Sequence, residues 1–257
     1  MRAIELNDQQ NNGVDPGTVD PGTVDPGMVE PGMTSVFIIS APSGSGKSTL
    51  VNEIRRTVPG LEFSVSYTTR SPRGSERDSC EYFFVTREQF EEMLRNDEFL
   101  EHADVFGHYY GTARRFLSKA EDEGNDLLLD IDVQGAEQIK SKLPEAVSIF
   151  VMPPDRGELE QRLRKRSQDS ETVIQRRLQE AAREIENYGK YDYILVNDRL
   201  EDSVEALKAI LLSERSQRAG KIDSELTARA DSCRLDKIRT RLQPILQSFG
   251  EAAASGK

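Results

Sequence analysis

Residues Val36–Leu50 read VFIISAPSGSGKSTL, and this stretch decides the fold. Val36, Phe37, Ile38 and Ile39 form an apolar run of the length of a buried strand. Ser40–Gly46 is a loop of small residues, and from Lys47 onward, KSTLVNEI, the pattern predicts a helix. Strand, small-residue loop and helix in that order make a cradle for an anion. Glycine lets the main chain approach closely, so the N–H groups of Gly44, Ser45, Gly46 and Lys47 can converge on phosphate oxygens at the positive end of the helix dipole. Lys47 then reaches outer phosphates as a point charge, and the Ser48 hydroxyl is a candidate ligand for Mg²⁺. Ala41 stands where the G-x-x-x-x-G-K-[ST] spacing has its first glycine.

The chain has 257 residues, enough for one large or two small domains with a sizeable core. A formal net charge of −11 argues against a nucleic-acid partner, which calls for a basic face. Cys80 and Cys233 match no zinc or redox spacing and are expected to be free thiols in a reducing compartment. The N-terminus lacks the apolar core of a signal peptide, and no apolar run approaches the roughly 18 residues of a membrane span. The expectation is a soluble, cytoplasmic protein without a membrane partner.

From Val14 to Met33 a five-residue unit repeats as VDPGT, VDPGT, VDPGM and VEPGM. One Val per unit offers almost nothing to bury, so residues 1–33 are expected to be a disordered arm. After the first helix, Phe63, Val65 and Tyr67 alternate with Ser64, Ser66 and Thr68 as in a half-buried strand. That strand runs out into Arg70 and Arg73, a pair suited to holding a phosphate or carboxylate. EYFFV (81–85) reads as a strand, and Thr86 with Glu88 opens a helix that carries Phe90 and Leu94. FLEHADVFGHYYGT (99–112) mixes apolar, aromatic, acidic and Gly residues in the manner of a pocket lining.

A helix ending at Gly124 is followed by LLLDIDVQG, a buried strand with Asp130 and Asp132 at its carboxyl end, where open α/β sheets place ligands. SIFVMPP (148–154) and YDYILVND (191–198) are further core strands, and the alternation with helices predicts a mainly parallel sheet. Between them lies a charged helical stretch bearing Arg162, Arg164, Arg166, Arg176 and Arg177. Beyond Gly220 the pattern is helical again, with Leu235, Ile238, Leu242, Ile245 and Phe249 at steps of 3, 4, 3 and 4 and a kink expected at Pro244. That stripe can pair with another subunit in a homo-oligomer or dock on its own core.

The motifs SAPSGSGKST, SVSYTTRSPR, EYFFV, FLEHADVFGHYYGT, LLLDIDVQG, RLRKR and YILVND follow one another as in the guanylate kinases of bacterial type, which the chain resembles from about Val36 to Ser216. The resemblance implies an α/β P-loop kinase fold: a mainly parallel five-stranded core sheet flanked by helices, an inserted GMP-binding subdomain and a small lid. It places the kinase domain at 34–219, with core segments 34–63, 125–155 and 171–219, the GMP-binding subdomain at 64–124 and the lid at 156–170. A helical tail occupies 220–257. The implied reaction is ATP + GMP giving ADP + GDP, with Mg²⁺ as cofactor and dGMP as a second acceptor, serving purine nucleotide supply and GMP recycling.

Residue by residue, the resemblance places Ala41, Pro42, Ser43, Gly44, Ser45, Gly46, Lys47, Ser48 and Thr49 around ATP, with Arg162 and Asn197 beside its base. It places Ser66 and Thr112 on the O6 and N7 edge of guanine. Glu101 and Asp132 accept the hydrogens that guanine presents at N1 and N2 and that adenine lacks there. Arg70, Arg73, Tyr82 and Tyr110 hold the GMP phosphate, and Asp130 lies near the metal and phosphates. Lys47, Arg70, Arg166 and Arg177 neutralise the transferring phosphoryl group. His102 and His108 are expected to be spectators. Three family glycines are replaced, by Ser75, Ser79 and Ser167. Two other readings stay open: a partner-binding module on the same fold, and a related small-molecule kinase.

Overall fold

Five strands lie side by side in one parallel sheet, in the order β2 (Leu61–Ser64), β7 (Asp126–Asp130), β1 (Val36–Ser40), β8 (Val147–Met152) and β9 (Tyr193–Val196). The computed structural model describes residues 34–105, 107–166 and 170–254; the repeat arm lies outside the described residues. β1, with β7 and β8 on its two sides, is buried along its whole length, as its unbroken apolar run requires. Odd and even residues of each strand feed two separate cores. Phe37, Ile39, Ile149 and Val151 pack against α1 (Lys47–Thr57) and α7 (Leu200–Arg218). On the opposite face Ile38, Phe150, Met152 and Ile194 pack with α4 (Val133–Lys142), α5 (Arg156–Arg166) and α6 (Glu171–Ile185). Asp126, fully buried, ties the layers together: it accepts from Ser35 N–H at 2.9 Å and from Arg215 Nε of α7 at 2.7 Å.

The stretch expected as one strand through Phe63–Thr68 divides between two sheets. β2 pairs with β7, while β3 (Tyr67–Thr68) joins a second sheet in the order β4 (Phe83–Phe84), β3, β6 (His108–Ala113), β5 (Phe99–Val105). Alternation alone cannot show which partner each half takes. The mixed stretch 99–112 is an antiparallel β5–β6 hairpin, so strand and pocket lining turn out to be the same element. Thr86 does cap α2 (Arg87–Arg95), but its reciprocal partner is Gln89, because the capping box closes at the third helical residue. α3 (Arg115–Glu123) stops at Gly124, whose φ of 64° no β-carbon favours.

The tail folds back on its own chain. α8 (Ser224–Asp231) packs on α7. The Cys233 carbonyl then accepts from Ile194 N–H at 2.8 Å along the free edge of β9. α9 (Leu235–Ala254) buries Ile238, Leu242, Ile245 and Phe249 against α5 and α6, which occupies the apolar stripe. The helix continues through Pro244 although that residue lacks an N–H for the Thr240 carbonyl. Among the described residues no helix is long and apolar enough to cross a membrane, and both cysteines are free thiols.

Candidate active site

The loop between β1 and α1 takes its shape from two glycines in the left-handed region, Gly44 at φ 92° and Gly46 at φ 90°. An ideal Cβ on Gly46 would lie 2.3 Å from Asn197 Nδ2, and one on Gly44 would lie 2.9 Å from a methyl of Leu163. Close approach is therefore as binding a requirement as the dihedral. Asn197 is buried and donates from Nδ2 to the Ser45 carbonyl at 2.8 Å. That bond braces the loop and uses one of the two amide N–H groups. Lys47 opens α1 and forms an ion pair with Asp130 at the end of β7. Burial opposes the Lys47 ammonium, but Asp130 beside it prevails and raises its pKa. Ser48 and Thr49 are exposed on the first turn of α1.

Lys47, Ser66, Tyr82, Tyr110, Asp130 and Asp132 line a cleft of about 240 Å³ between the two sheets, together with Glu101 of β5. Glu101 is 4% exposed, and burial together with the Asp132 charge pushes it up to about 7 against the pull of the Thr112 hydroxyl and amide. Its carboxylate presses on the start of α4, where a Cβ on Gly135 would come within 2.7 Å of Glu101 Oε2. Asp132 is the N-cap of the same helix and accepts from Gly135 N–H at 2.8 Å, so it is both a cap and a wall of the cleft. Thr112 Oγ1 is buried there without a well-formed hydrogen bond.

A second cavity of about 760 Å³ adjoins the first and holds the cations. Arg70, Arg73, Tyr82 and Tyr110 line it with Ser43 of the loop and Arg177 of α6. Arg70 is almost buried. Its Nε donates to the Tyr110 hydroxyl at 3.2 Å, and its two terminal nitrogens straddle the Glu76 carboxylate at 2.9 and 3.1 Å. Arg177 donates to Ser43 Oγ at 2.8 Å, which brings the far helix to the phosphate loop. Arg73 is exposed. Arg162 pairs with Glu158 along α5 at 2.8 Å. Arg166 is the last residue of α5, and its side chain, like Ser167, lies outside the described residues.

Sequence reasoning missed Glu76 and Glu184. The two Glu76 oxygens fix the plane of the Arg70 guanidinium, and that ion pair lowers the Glu76 pKa. Only the position of Glu76, three residues beyond Arg73, signalled this. Glu184 of α6 lines the cleft beside Lys47, and a lone Glu in a charged helix carries no such signal.

The guanylate kinase family model matches residues 33–214. The chain belongs to the guanylate kinase family. A guanylate kinase of Koribacter versatilis (strain Ellin345) is 58% identical over 225 residues, covering 85% of this chain and 97% of that protein. The guanylate kinase of Escherichia coli (strain K12) is 48% identical over 183 residues, covering 70% and 88%. A crystal structure of guanylate kinase from Anaplasma phagocytophilum aligns with a TM-score of 0.57 at 32% identity, covering 82% of this chain and 94% of that one. Guanylate kinases phosphorylate GMP with ATP, and the five-stranded parallel sheet flanked by helices is the architecture of the family.

Proposed function

We propose that this guanylate kinase chain binds GMP in the cleft between the two sheets and receives the γ-phosphoryl of ATP held on the Gly44–Lys47 loop. The observation that carries the reading is the continuity of the two cavities. Glu101, Asp132 and Lys47 line the first, Ser43, Arg70 and Arg177 line the second, and Tyr82 and Tyr110 line both. Guanine offers donors to Glu101 and Asp132, whereas adenine would leave the buried Glu101 carboxylate without them, a loss of about 1–3 kcal/mol. Arg70, fixed by Glu76 and Tyr110, supplies a guanidinium fork to the acceptor phosphate.

Phosphoryl transfer demands alignment and charge neutralisation more than covalent chemistry. Lys47 stands between the loop and Asp130, ready to exchange a carboxylate for a phosphate oxygen. Arg177, already at Ser43, brings a second cation to the bond being broken, and Arg166 is assigned to the same task. The second sheet acts as the acceptor subdomain and residues 156–170 as the lid.

Among the described residues no cluster of His, Cys, Asp or Glu forms a preformed metal cage, and the exposed Ser48 hydroxyl with nearby Asp130 fits a hard cation that arrives with its nucleotide. Mg²⁺ bound in this way neutralises the outer phosphates of ATP. The test is ADP release with ATP and Mg²⁺ against GMP, dGMP, AMP and a sugar phosphate. Turnover confined to the guanine nucleotides supports the pocket assignment, and turnover with AMP at a comparable rate refutes it.

A further inference from the structure

We infer that Glu184 reads the sugar of the acceptor nucleotide, accepting hydrogen bonds from its vicinal hydroxyls. The inference rests on the acceptor cleft described above and adds a residue to it. Glu184 projects from α6 into the same cleft as Lys47, Tyr82, Glu101 and Asp132. Its carboxylate takes part in no hydrogen bond or ion pair among the described residues, although the side chain is half-buried. A partly desolvated carboxylate without a hydrogen-bond donor is costly, and the attraction of Lys47 offsets that cost without supplying a donor.

Its place between the two ends of the cleft identifies the missing donor. The foremost charges acting on Glu184 are Lys47, at the phosphate end, and Asp132, at the base end. A nucleoside monophosphate laid between those ends puts its sugar in the middle. The 2′- and 3′-hydroxyls are then the donors at hand, and an ionised carboxylate is an acceptor only, with two oxygens to offer them. Burial pushes Glu184 up to about 7 in the empty cleft, and hydroxyl donors favour its charged form.

The experiment uses the full chain with ATP and Mg²⁺ and three acceptors: GMP, 2′-deoxy-GMP and 2′,3′-dideoxy-GMP. Glu184→Ala should lower kcat/KM for GMP by about 10- to 100-fold, the worth of a charged hydrogen bond, and leave the dideoxy acceptor within about 3-fold of its wild-type value. Glu184→Gln, which retains one acceptor oxygen, should recover part of the GMP rate and melt no lower than the wild type. Equal losses on all three acceptors, or no loss on GMP, would overturn the assignment. Glu101→Gln run alongside reports on the cleft itself through the ratio of GMP to AMP. An altered ratio there, with Glu184 failing, rejects the sugar contact alone.

Discussion

Replacing Glu101 by Gln should raise stability and lower activity together. In the folded chain the Glu101 carboxyl titrates at about 7, up from an ordinary value of 4.5, because burial disfavours its charge. A carboxyl whose folded pKa is raised costs nothing below its unfolded pKa, and its penalty grows as pH rises from about 4.5 to about 7. Above that the cost is constant, at about 3 kcal/mol for a shift of this size. Gln fills the same space without charge. At pH 8 the variant should therefore be more stable by up to about 3 kcal/mol, and at pH 4.5 the two proteins should be equal. Function moves the other way. Losing a charged acceptor for guanine should cost about 1.5–3 kcal/mol, or roughly 10- to 100-fold in kcat/KM for GMP. Wild-type kcat/KM should climb with pH to a plateau above about 7, and that rise should be shallower in the variant, where Glu184 alone still titrates in this range. Denaturant melts at the two pH values and a pH series of initial rates are sufficient assays. A variant that is less stable at pH 8 and phosphorylates GMP normally would refute both the burial argument and the base contact.

Three further outcomes follow from single positions. Gly46→Ala would place a methyl 2.3 Å from Asn197 Nδ2 at a φ of 90°, and ATP turnover should fall by at least about 100-fold; adding Asn197→Ala removes the collision but not the dihedral, so rescue should be partial. Ser79 holds a φ of 62°, a backbone conformation that favours glycine, and Ser79→Gly should stabilise the chain by about 0.5–1 kcal/mol, seen as a small rise in melting temperature. Arg215→Ala would strand the fully buried Asp126 carboxylate beside a single backbone donor, with an expected loss of about 3–5 kcal/mol in a chemical melt.

The core was legible because its code is local. A loop with GKS between an apolar run and a helix start specifies β1, the cradle and α1, and Gly124 and Thr86 punctuate helices by rules that need no neighbours. What escaped depended on partners distant in sequence. Val65 and Ser66 look like strand interior, yet the chain changes sheets there because β7 claims one half and β6 the other. Asn197 could be placed near the nucleotide from its motif, but its bond to Ser45 joins residues 152 positions apart. Glu184 was hidden for the same reason, since its meaning comes from the cleft that α6 happens to face. The strain at Ser79 was foreshadowed, because a serine in a glycine position marks a dihedral conflict before any coordinates exist.

The docking of α9 places the C-terminal helix one element away from the phosphate loop. Leu159 and Leu163 of α5 stand within reach of the Gly44 backbone, and on its other side α5 rests on α9, with Arg156 N–H bonded to Ser248 Oγ at 3.1 Å. Any shift of α5 as the phosphate loop fills must slide or strain that helix contact. By reciprocity, whatever free energy ATP spends there alters the protection of the tail, and whatever loosens the tail returns the same amount to ATP affinity. Amide exchange along Leu242–Phe249 thus becomes a gauge of occupancy at a loop some two hundred residues earlier in the chain.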